Sequence, residues 1–326
     1  MLARARALAD WRAFSVIIGL IVLLVACGQL TRQPVHPGAT PTTVAALPSA
    51  SPTSTPTAAP TPTPKPTPNP FLNRRVTLLV LGSDSTPTRL REGQGRLTDS
   101  IIVVSVNKAH TQVSMIAFPR DIVDIPMGNG EVWGSKINSI SYYRGEEAMK
   151  RAISATIRQP IDYYAEVNMI DFPKMIDAIG GVDLVVPHKI IDPSLYFNIG
   201  PGMHHMNGAV ALKYARSRHT TSDWDRAARQ QQLVAAVVRK MVDPKTKLNF
   251  LDLLASLRSL RTDLPLSKFA ALFELARKSA HAKLVTQVLS PPRYATFAGL
   301  AGARGYIQEP NLAAIRRYAA SVMGHQ

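Results

Sequence analysis

From residue 76 onward, short runs of apolar residues alternate with longer segments in which apolar residues recur every three or four positions. The short runs are rich in β-branched residues and end at glycine, proline or polar residues, as buried strands do. The longer segments have the spacing of amphipathic helices. Alternating strands and helices favour an α/β fold with three layers, α-β-α, over a helix bundle or a β-sandwich.

The same pattern predicts the bounds of these elements. The predicted strands are residues 76–82, 100–106, 113–118, 163–167, 182–186 and 285–289. The predicted helices are residues 146–158, 171–179, 248–260, 266–278 and 311–323, with a further helix that starts near Asp223 or Asp225 and continues through 233–241. His204 and His205 fall in a predicted loop, and no carboxylate or cysteine nearby has zinc-like spacing. We expect both histidines at the surface.

Residues 1–32 have the pattern of an export signal. An arginine-rich start precedes an uninterrupted run of apolar and small residues from Ala13 to Ala26, as in secretory signals. Residues 24–27 resemble a bacterial lipobox, in which Cys27 would be lipidated; the alternative is an uncleaved signal-anchor helix. Both alternatives attach the chain to the membrane and place the remainder outside the cytoplasm. Cys27 is the single cysteine, so no internal disulfide can form.

Residues 33–70 hold twelve prolines, nine threonines and no aromatic residue, too little apolar surface to fold. Proline biases such a segment toward extended polyproline II, which predicts a semi-rigid, disordered stalk. We therefore divide the chain into an export segment (1–32), a stalk (33–70), a main domain (71–243) and a helical carboxy-terminal extension that packs on the same domain (244–326).

The formal net charge of +16 indicates a polyanionic partner. Residues 1–75 hold seven basic residues and one acidic residue, so the part beyond them is strongly basic as well. Nucleic acid, an anionic membrane surface and a phosphate-rich substrate are the candidate partners. The export signal and the stalk argue against nucleic acid, and no helix-turn-helix or array of stacking aromatics accompanies the basic residues. We therefore predict no nucleic-acid partner.

The segment 214–232 is the strongest candidate for a site that binds such a partner. If residues 213–218 form a short strand, the first two arginines of the segment point to one face of it. The last two arginines and the glutamine share one stripe of the helix that follows. Guanidinium groups that converge from two elements suit phosphate or pyrophosphate; the alternative is a solvated basic face of a helix. The candidate ligands are Arg216, Arg218, Arg226, Arg229 and Gln230.

Two aspartates flank the first predicted hairpin. Asp84 follows its first strand and Asp99 precedes its second, so antiparallel pairing brings them to the same end. Two carboxylates beside an anion site repel each other unless a cation lies between them. Mg²⁺ commonly takes one or two protein carboxylates and completes its shell with water and substrate phosphate. The alternative interpretation is a pair of aspartates that cap the loop.

Arg120 follows the third predicted strand directly, at a position suited to line a cleft. Its alternative role is a salt bridge with Asp121 or Asp124.

Together these segments resemble the LytR-CpsA-Psr family of bacterial cell-wall enzymes, and they occur in the family's order across residues 76–240. The segments are L-L-V-L-G-S-D (78–84), R-L-T-D-S-I-I-V-V-S-V (96–106), I-A-F-P-R-D (116–121), K-I-N (136–138), D-A-I-G-G-V-D (177–183), N-G-A-V-A-L-K-Y-A-R-S-R (207–218) and D-W-D-R-A-A-R-Q-Q (223–231). The resemblance implies a mixed central sheet with helices that form a hydrophobic slot for a prenyl chain.

The resemblance also implies an extracytoplasmic phosphotransferase that moves a glycopolymer from an undecaprenyl-pyrophosphate carrier to a peptidoglycan hydroxyl. Asp84 and Asp99 match the family's magnesium-associated aspartates, with Mn²⁺ as an alternative ion. The matches to its pyrophosphate-site residues are Arg120, Arg216, Arg218, Arg226, Arg229 and Gln230, with Arg96 as a further candidate. Asp99 and Arg120 are the predicted catalytic residues, and a site aspartate is the candidate general base.

One position departs from the family pattern, because many members have glycine where Asp225 stands. This residue would place a third carboxylate near the metal. Two other functions remain open on the residues themselves. One is a non-catalytic, membrane-tethered binder of anionic wall polymer, and the other is a prenyl-pyrophosphate hydrolase.

Overall fold

The computed structural model describes residues 68–84, 91, 96–219, 221–246, 255, 260–300 and 304–324. The predicted export segment, nearly all of the predicted stalk and almost all of the predicted helix 248–260 lie outside these residues. From Asn69 onward the described residues belong to one folded unit. Within it, no helix is both long and apolar enough to cross a bilayer.

The strands are β1 (Val76–Asp84), β2 (Leu97–Val106), β3 (Gln112–Ala117), β4 (Ile125–Pro126), β5 (Val132–Trp133), β6 (Tyr163–Asn168), β7 (Val182–Val186), β8 (Ile190–Asp192), β9 (Phe197–Ile199), β10 (Gly202–Met206), β11 (Arg261–Thr262), β12 (Lys283–Val288), β13 (Ala295–Leu300) and β14 (Tyr306–Pro310). The α-helices are α1 (Ile140–Arg144), α2 (Glu146–Ile157), α3 (Asp171–Ala178), α4 (Gly208–Arg216), α5 (Asp223–Val242), α6 (Phe269–Lys278) and α7 (Leu312–Met323). Short 3₁₀ helices span Ile137–Ser139, Pro193–Leu195 and Leu266–Lys268.

Six strands form the central sheet in the order β11-β6-β1-β2-β3-β12. β2 pairs antiparallel with both β1 and β3, whereas β6 and β12 run parallel to their inner neighbours. The sheet is therefore mixed, which confirms the expectation from the sequence. The hairpin of β1 and β2 lies at its centre, with both edge strands contributed by residues after 260.

Each face of the sheet is covered by helices, because successive side chains of its strands point to opposite faces. On one face Leu79 and Ile101 pack in a core with residues of α1, α2 and α7. On the other face Ile102 and Met115 pack with residues of α5. This arrangement confirms the three α-β-α layers.

A second core lies beside the sheet, where α3, α4 and α5 meet the strands β7 to β10. The two-stranded sheet of β7 and β10 covers one side of it. Gly208 allows α3 and α4 to approach closely, since a Cβ atom at this position would overlap the backbone of Pro173. These two helices form one wall of the cavity described below.

Most of the predicted elements are confirmed with small changes at their ends, but two predictions are wrong. Residues 213–216 belong to the helix α4 and not to a strand, because the side chain of Asn207 caps a helix by accepting a hydrogen bond from the Val210 N–H at 3.0 Å. His204 and His205 lie in the strand β10 and not in a loop. The region after residue 243 supplies strands as well as the expected helices.

Candidate functional site

A cavity of about 970 Å³ lies between the end of the β1–β2 hairpin and the helices α3, α4 and α5. One end of it, the apolar end, is lined by Phe172, Ile176, Leu233, Val237 and Met241. The other end, the arginine end, is lined by Arg120, Arg216, Arg218 and Arg226. The helix α5 runs along both ends, because Arg226, Gln230, Leu233, Val237 and Met241 follow one another at helical spacing.

The hairpin delivers both predicted metal-binding aspartates to the arginine end. Asp84 is the last residue of β1, and Asp99 lies near the start of β2. Gly82 pairs with Ser100 and Ser83 pairs with Thr98, so Asp99 is the extra residue of a β-bulge. Bulges re-aim side chains at the ends of strands. Both aspartates line the cavity.

Arg120 lies between two carboxylates. Its Nη1 donates to the Oδ1 and Oδ2 of Asp99 at 3.1 and 3.2 Å, and its Nε lies 3.6 Å from the Oδ2 of Asp121. Burial lowers the pKa of Arg120, but Asp99 and Asp121 outweigh that effect, so the pKa is raised. Lys136 holds Asp121 in turn at 2.6 Å. Arg120 therefore stays charged while it faces the cavity.

The start of α5 is fixed by a capping box. Ser222 Oγ accepts from the Asp225 N–H at 3.1 Å, and the Asp225 carboxylate accepts from the Ser222 N–H at 2.9 Å. Burial raises the pKa of Asp225, but these hydrogen bonds from Ser222 outweigh it and the pKa is lowered. Asp225 is thus a helix cap that does not line the cavity, which accounts for the carboxylate that departs from the family pattern.

Arg226 is buried at the arginine end, with 6% of its surface exposed. Its Nη1 lies 3.2 Å from the Oδ1 of Asp223, to which Arg218 also approaches within 3.6 Å. Burial lowers the pKa of Arg226, and Asp223 opposes that shift. Among the described residues, the buried Nε atoms of Arg226 and Arg120 have no hydrogen-bond partner. At the arginine end, each of these two arginines thus keeps a buried donor that no described protein group satisfies.

Arg229 does not line the cavity, unlike the other arginines of its segment. Its Nε donates to the carbonyl oxygen of Tyr214 at 3.0 Å, and its Nη2 donates to the carbonyl oxygen of Ser217. Burial lowers its pKa. These contacts tie α5 to the end of α4, so Arg229 positions the chain that carries Arg216 and Arg218. The structure places Arg229 outside the cavity lining, so it does not take the predicted position of a direct ligand.

Of the two remaining candidate ligands, Gln230 lines the cavity and Arg96 does not. Gln230 lines the cavity, and its Nε2 donates to the carbonyl oxygen of Ala215 at 3.3 Å. Arg96 is exposed just before β2 and does not line the cavity in the part of the chain that the structure describes. His205 is exposed and pairs with Asp183 at 2.7 Å, which agrees with the expected surface role.

Asp192 was not predicted as a site residue from the sequence. It lies buried at the end of β8 and lines the cavity. Its Oδ2 accepts from the backbone N–H groups of Arg218 and His219 at 2.9 and 3.4 Å. Burial raises its pKa, but the Ser194 hydroxyl and these backbone N–H groups outweigh that effect, and the pKa is strongly lowered. Asp192 thus anchors the segment that carries Arg218. No local pattern marks it, because its partners are distant in sequence.

The two hairpin aspartates fit Mg²⁺, which takes one or two protein carboxylates and adds water and phosphate oxygens. Across the described ranges, no group of three or more histidine, cysteine or acidic side chains is arranged to hold a metal ion. The pair suits an ion that a phosphate ligand helps to hold.

These features define an α/β domain whose cavity suits an anion with an apolar tail. The model of the LytR_cpsA_psr family matches residues 50–301, and the chain belongs to that family. A Bacillus cereus relative, the polyisoprenyl-teichoic acid–peptidoglycan teichoic acid transferase TagU, is 29% identical over 192 residues, which are 58% of this chain and 60% of the relative. The chain thus matches less than two thirds of the length of the first curated relatives.

Solved structures show that the fold is shared. The crystal structure of B. subtilis TagV superposes with a TM-score of 0.61 at 22% identity, covering 78% of this chain and 99% of TagV. The structure of TagT bound to LIIa-WTA superposes with a TM-score of 0.60 at 19% identity, covering 80% of this chain and 94% of TagT. Both the family and the mixed three-layer fold expected from the sequence are confirmed.

Proposed function

We propose that this protein is a phosphotransferase that moves a glycopolymer from a polyprenyl-pyrophosphate carrier, such as undecaprenyl pyrophosphate, to a hydroxyl group of peptidoglycan. The main support for the proposal is that one row of side chains on α5, from Arg226 to Met241, lines both the arginine end and the apolar end of the same cavity. A prenyl chain fits the apolar end, and a pyrophosphate fits the arginine end. TagU is named as a teichoic acid transferase and TagT was solved bound to LIIa-WTA, and both support a glycopolymer as the group transferred.

The reaction breaks the bond between the phosphorus that bears the glycopolymer and the oxygen it shares with the polyprenyl phosphate. A bond forms from the same phosphorus to the acceptor oxygen, whose proton is lost, and polyprenyl phosphate leaves. Transfer of this kind depends mainly on positioning and on neutralisation of charge. Arg120, Arg218 and Arg226 line the arginine end, which supports the proposal that this charge develops there.

Arg120 links the two halves of the site, because its Nη1 binds Asp99 while its guanidinium group also lines the arginine end of the cavity. Asp84 and Asp99 would hold Mg²⁺ or Mn²⁺, which when bound would neutralise part of the pyrophosphate charge. The proton of the acceptor hydroxyl needs an acceptor at the arginine end. Asp223 lines that end and forms ion pairs with Arg218 and Arg226.

We place the domain outside the cytoplasm, attached to the membrane through residues 1–32 and extended by the stalk. This part of the proposal rests on the sequence of residues 1–70, with its basic start, apolar run and proline-rich segment. Mass spectrometry of the mature amino terminus distinguishes the two forms of attachment. An intact Met1 would exclude lipidation at Cys27.

The test uses the full chain, a polyprenyl-pyrophosphate-linked glycopolymer, peptidoglycan and Mg²⁺, and measures both polyprenyl phosphate and label attached to peptidoglycan. We expect both products from the wild type, and neither from Asp84→Ala or Asp99→Ala. Asp183→Ala, which removes an exposed carboxylate outside the cavity, should keep full activity. Release without peptidoglycan at the same rate would indicate a hydrolase, and binding without release would indicate a wall-polymer binder.

A further inference from the structure

An exposed aromatic pair lies on the hairpin of β13 and β14. The rings of Phe297 and Tyr306 meet edge to face, with their centroids 4.6 Å apart. They keep 50% and 40% of their surface exposed. Both rings are thus in contact with each other and still accessible to a ligand at the surface.

Backbone contacts fix this aromatic pair beside the site. The N–H of Gln308 donates to the carbonyl oxygen of Asp121 at 3.0 Å, and the N–H of Val123 donates to the carbonyl oxygen of Gln308 at 3.1 Å. The strand β14 therefore runs alongside the segment that begins at Arg120. Tyr306 lies two residues before Gln308 on that strand.

Electrostatics agree with that placement. The pKa of Tyr306 is raised, mainly by burial and further by the nearby carboxylates of Asp223 and Asp121. Asp223 pairs with Arg218 and Arg226, and Asp121 lies beside Arg120. The Tyr306 hydroxyl thus lies near carboxylates that belong to the arginine end, although the aromatic pair is outside the cavity itself.

We infer that Phe297 and Tyr306 form a saccharide-binding subsite next to the arginine end of the cavity. A sugar ring presents C–H bonds on its faces, which pack against the electron-rich face of an aromatic ring, and hydroxyl groups at its edge. The tyrosine hydroxyl and the neighbouring charged groups can bind those hydroxyl groups. The inference rests on the proposed function, since either the sugar attached to the donor or the sugar of the acceptor must approach the pyrophosphate from outside the cavity.

The charges around the aromatic pair favour a saccharide over a membrane surface. Arg304 is paired with Asp124 at 3.4 Å, and Lys136 is paired with Asp121. Glu309 on β14 is exposed. An anionic membrane would be attracted by an excess of unpaired cations, and this surface has paired charges of both signs.

The test measures calorimetric binding to the full chain and to the double variant Phe297→Ala/Tyr306→Ala. The titrants are peptidoglycan oligosaccharides, a polyprenyl pyrophosphate without sugar, the same lipid with its saccharide, and anionic lipid vesicles. We expect the double variant to bind a saccharide at least about fivefold more weakly, as for other aromatic binding residues, and to bind the sugar-free lipid unchanged. Tyr143→Ala, which removes an exposed aromatic ring on α1, should change neither affinity.

The titrants also separate the two sources of sugar. Weaker binding of the peptidoglycan oligosaccharide assigns the aromatic pair to the acceptor, and loss of only the affinity added by the lipid's saccharide assigns it to the donor. If neither changes, or if binding to anionic vesicles is lost in place of saccharide binding, the inference is overturned. Failure of the wild type to bind the sugar-free lipid would count against the proposed function instead.

A second variant tests the stacking itself. Phe297→Leu/Tyr306→Leu keeps apolar side chains but removes the flat rings. It should lose saccharide binding as the alanine variant does. If it binds saccharide as the wild type does, the surface is a general apolar patch and the inference fails.

Discussion

Replacing Arg229 with methionine should destabilise the domain far more than the same change at Arg226. Both are buried arginines on α5, three positions apart. Arg229 donates to the carbonyl oxygens of Tyr214 and Ser217, whereas the Nε of Arg226 has no partner among the described residues. Methionine has a similar length and no hydrogen-bond donor, so it removes the contacts while it preserves much of the packing.

The magnitude follows from these contacts. Each hydrogen bond from a charged donor contributes about 1.5–3 kcal/mol, so the loss of two in Arg229→Met should lower the free energy of unfolding by about 3–6 kcal/mol. Arg226→Met breaks one ion pair with Asp223, which is partly exposed and keeps Arg218, so the change should be about 1 kcal/mol or less. Binding should respond in the opposite order. Loss of a charge-assisted contact to pyrophosphate weakens binding about ten- to hundredfold in Arg226→Met.

Urea denaturation followed by circular dichroism measures the stability of each variant, and calorimetry measures binding of polyprenyl pyrophosphate. Arg229→Lys is the matched control for charge, since it keeps the positive charge but loses the second donor group. It should remain destabilised. Suppose instead that the free energy of unfolding of Arg229→Met lies within about 0.5 kcal/mol of the wild-type value, the usual range for surface changes. If this variant also binds polyprenyl pyrophosphate as weakly as Arg226→Met does, then Arg229 is a ligand residue and the reasoning is refuted.

Three further predictions concern carboxylates. Asp192→Asn should weaken polyprenyl-pyrophosphate binding in calorimetry, because the segment of Arg218 loses a charged acceptor. Folding lowers the pKa of Asp192, so the contribution of this residue to stability is present above the ordinary aspartate pKa of about 3.9 and is lost as the pH falls toward the folded value. In Asp192→Asn, the free energy of unfolding should therefore depend less on pH in that range. An unchanged pH dependence would contradict this. Asp225→Gly should lower the free energy of unfolding by about 0.5–2 kcal/mol through loss of the cap. It should leave the Mg²⁺ dependence of transfer unchanged, and a shifted Mg²⁺ dependence would place Asp225 at the metal.

Elements held by local interactions could be predicted from the sequence. The β1–β2 hairpin follows from two apolar runs and the helix α5 from its helical spacing, and both appear where they were expected. The position of Asp84 and Asp99 at the same end of this hairpin was predictable from the hairpin alone. The bulge that re-aims Asp99 was not, because a bulge depends on how two strands accommodate each other.

The assignment of individual arginines could not be predicted in the same way. Arg226 and Arg229 differ by about 60° around the axis of a helix with 3.6 residues per turn. That difference decides whether a side chain faces the cavity or the end of α4, and it is set by packing between helices. Asp192 was missed for a related reason, since it binds backbone groups 26 and 27 positions away. The strand expected at 213–218 was wrong because Asn207 starts a helix there.

The position of β12 at the edge of the sheet has a consequence for how the chain folds. β3 ends at Ala117, but its outer partner spans Lys283–Val288, so the sheet is completed only when these distant segments meet. Closure over such a separation slows folding. A chain shortened at residue 243 would leave the outer edge of β3 unpaired, and an open edge of this kind recruits strands from other molecules. The carboxy-terminal segment thus protects the domain from aggregation by sealing the strand next to the hairpin that carries Asp99.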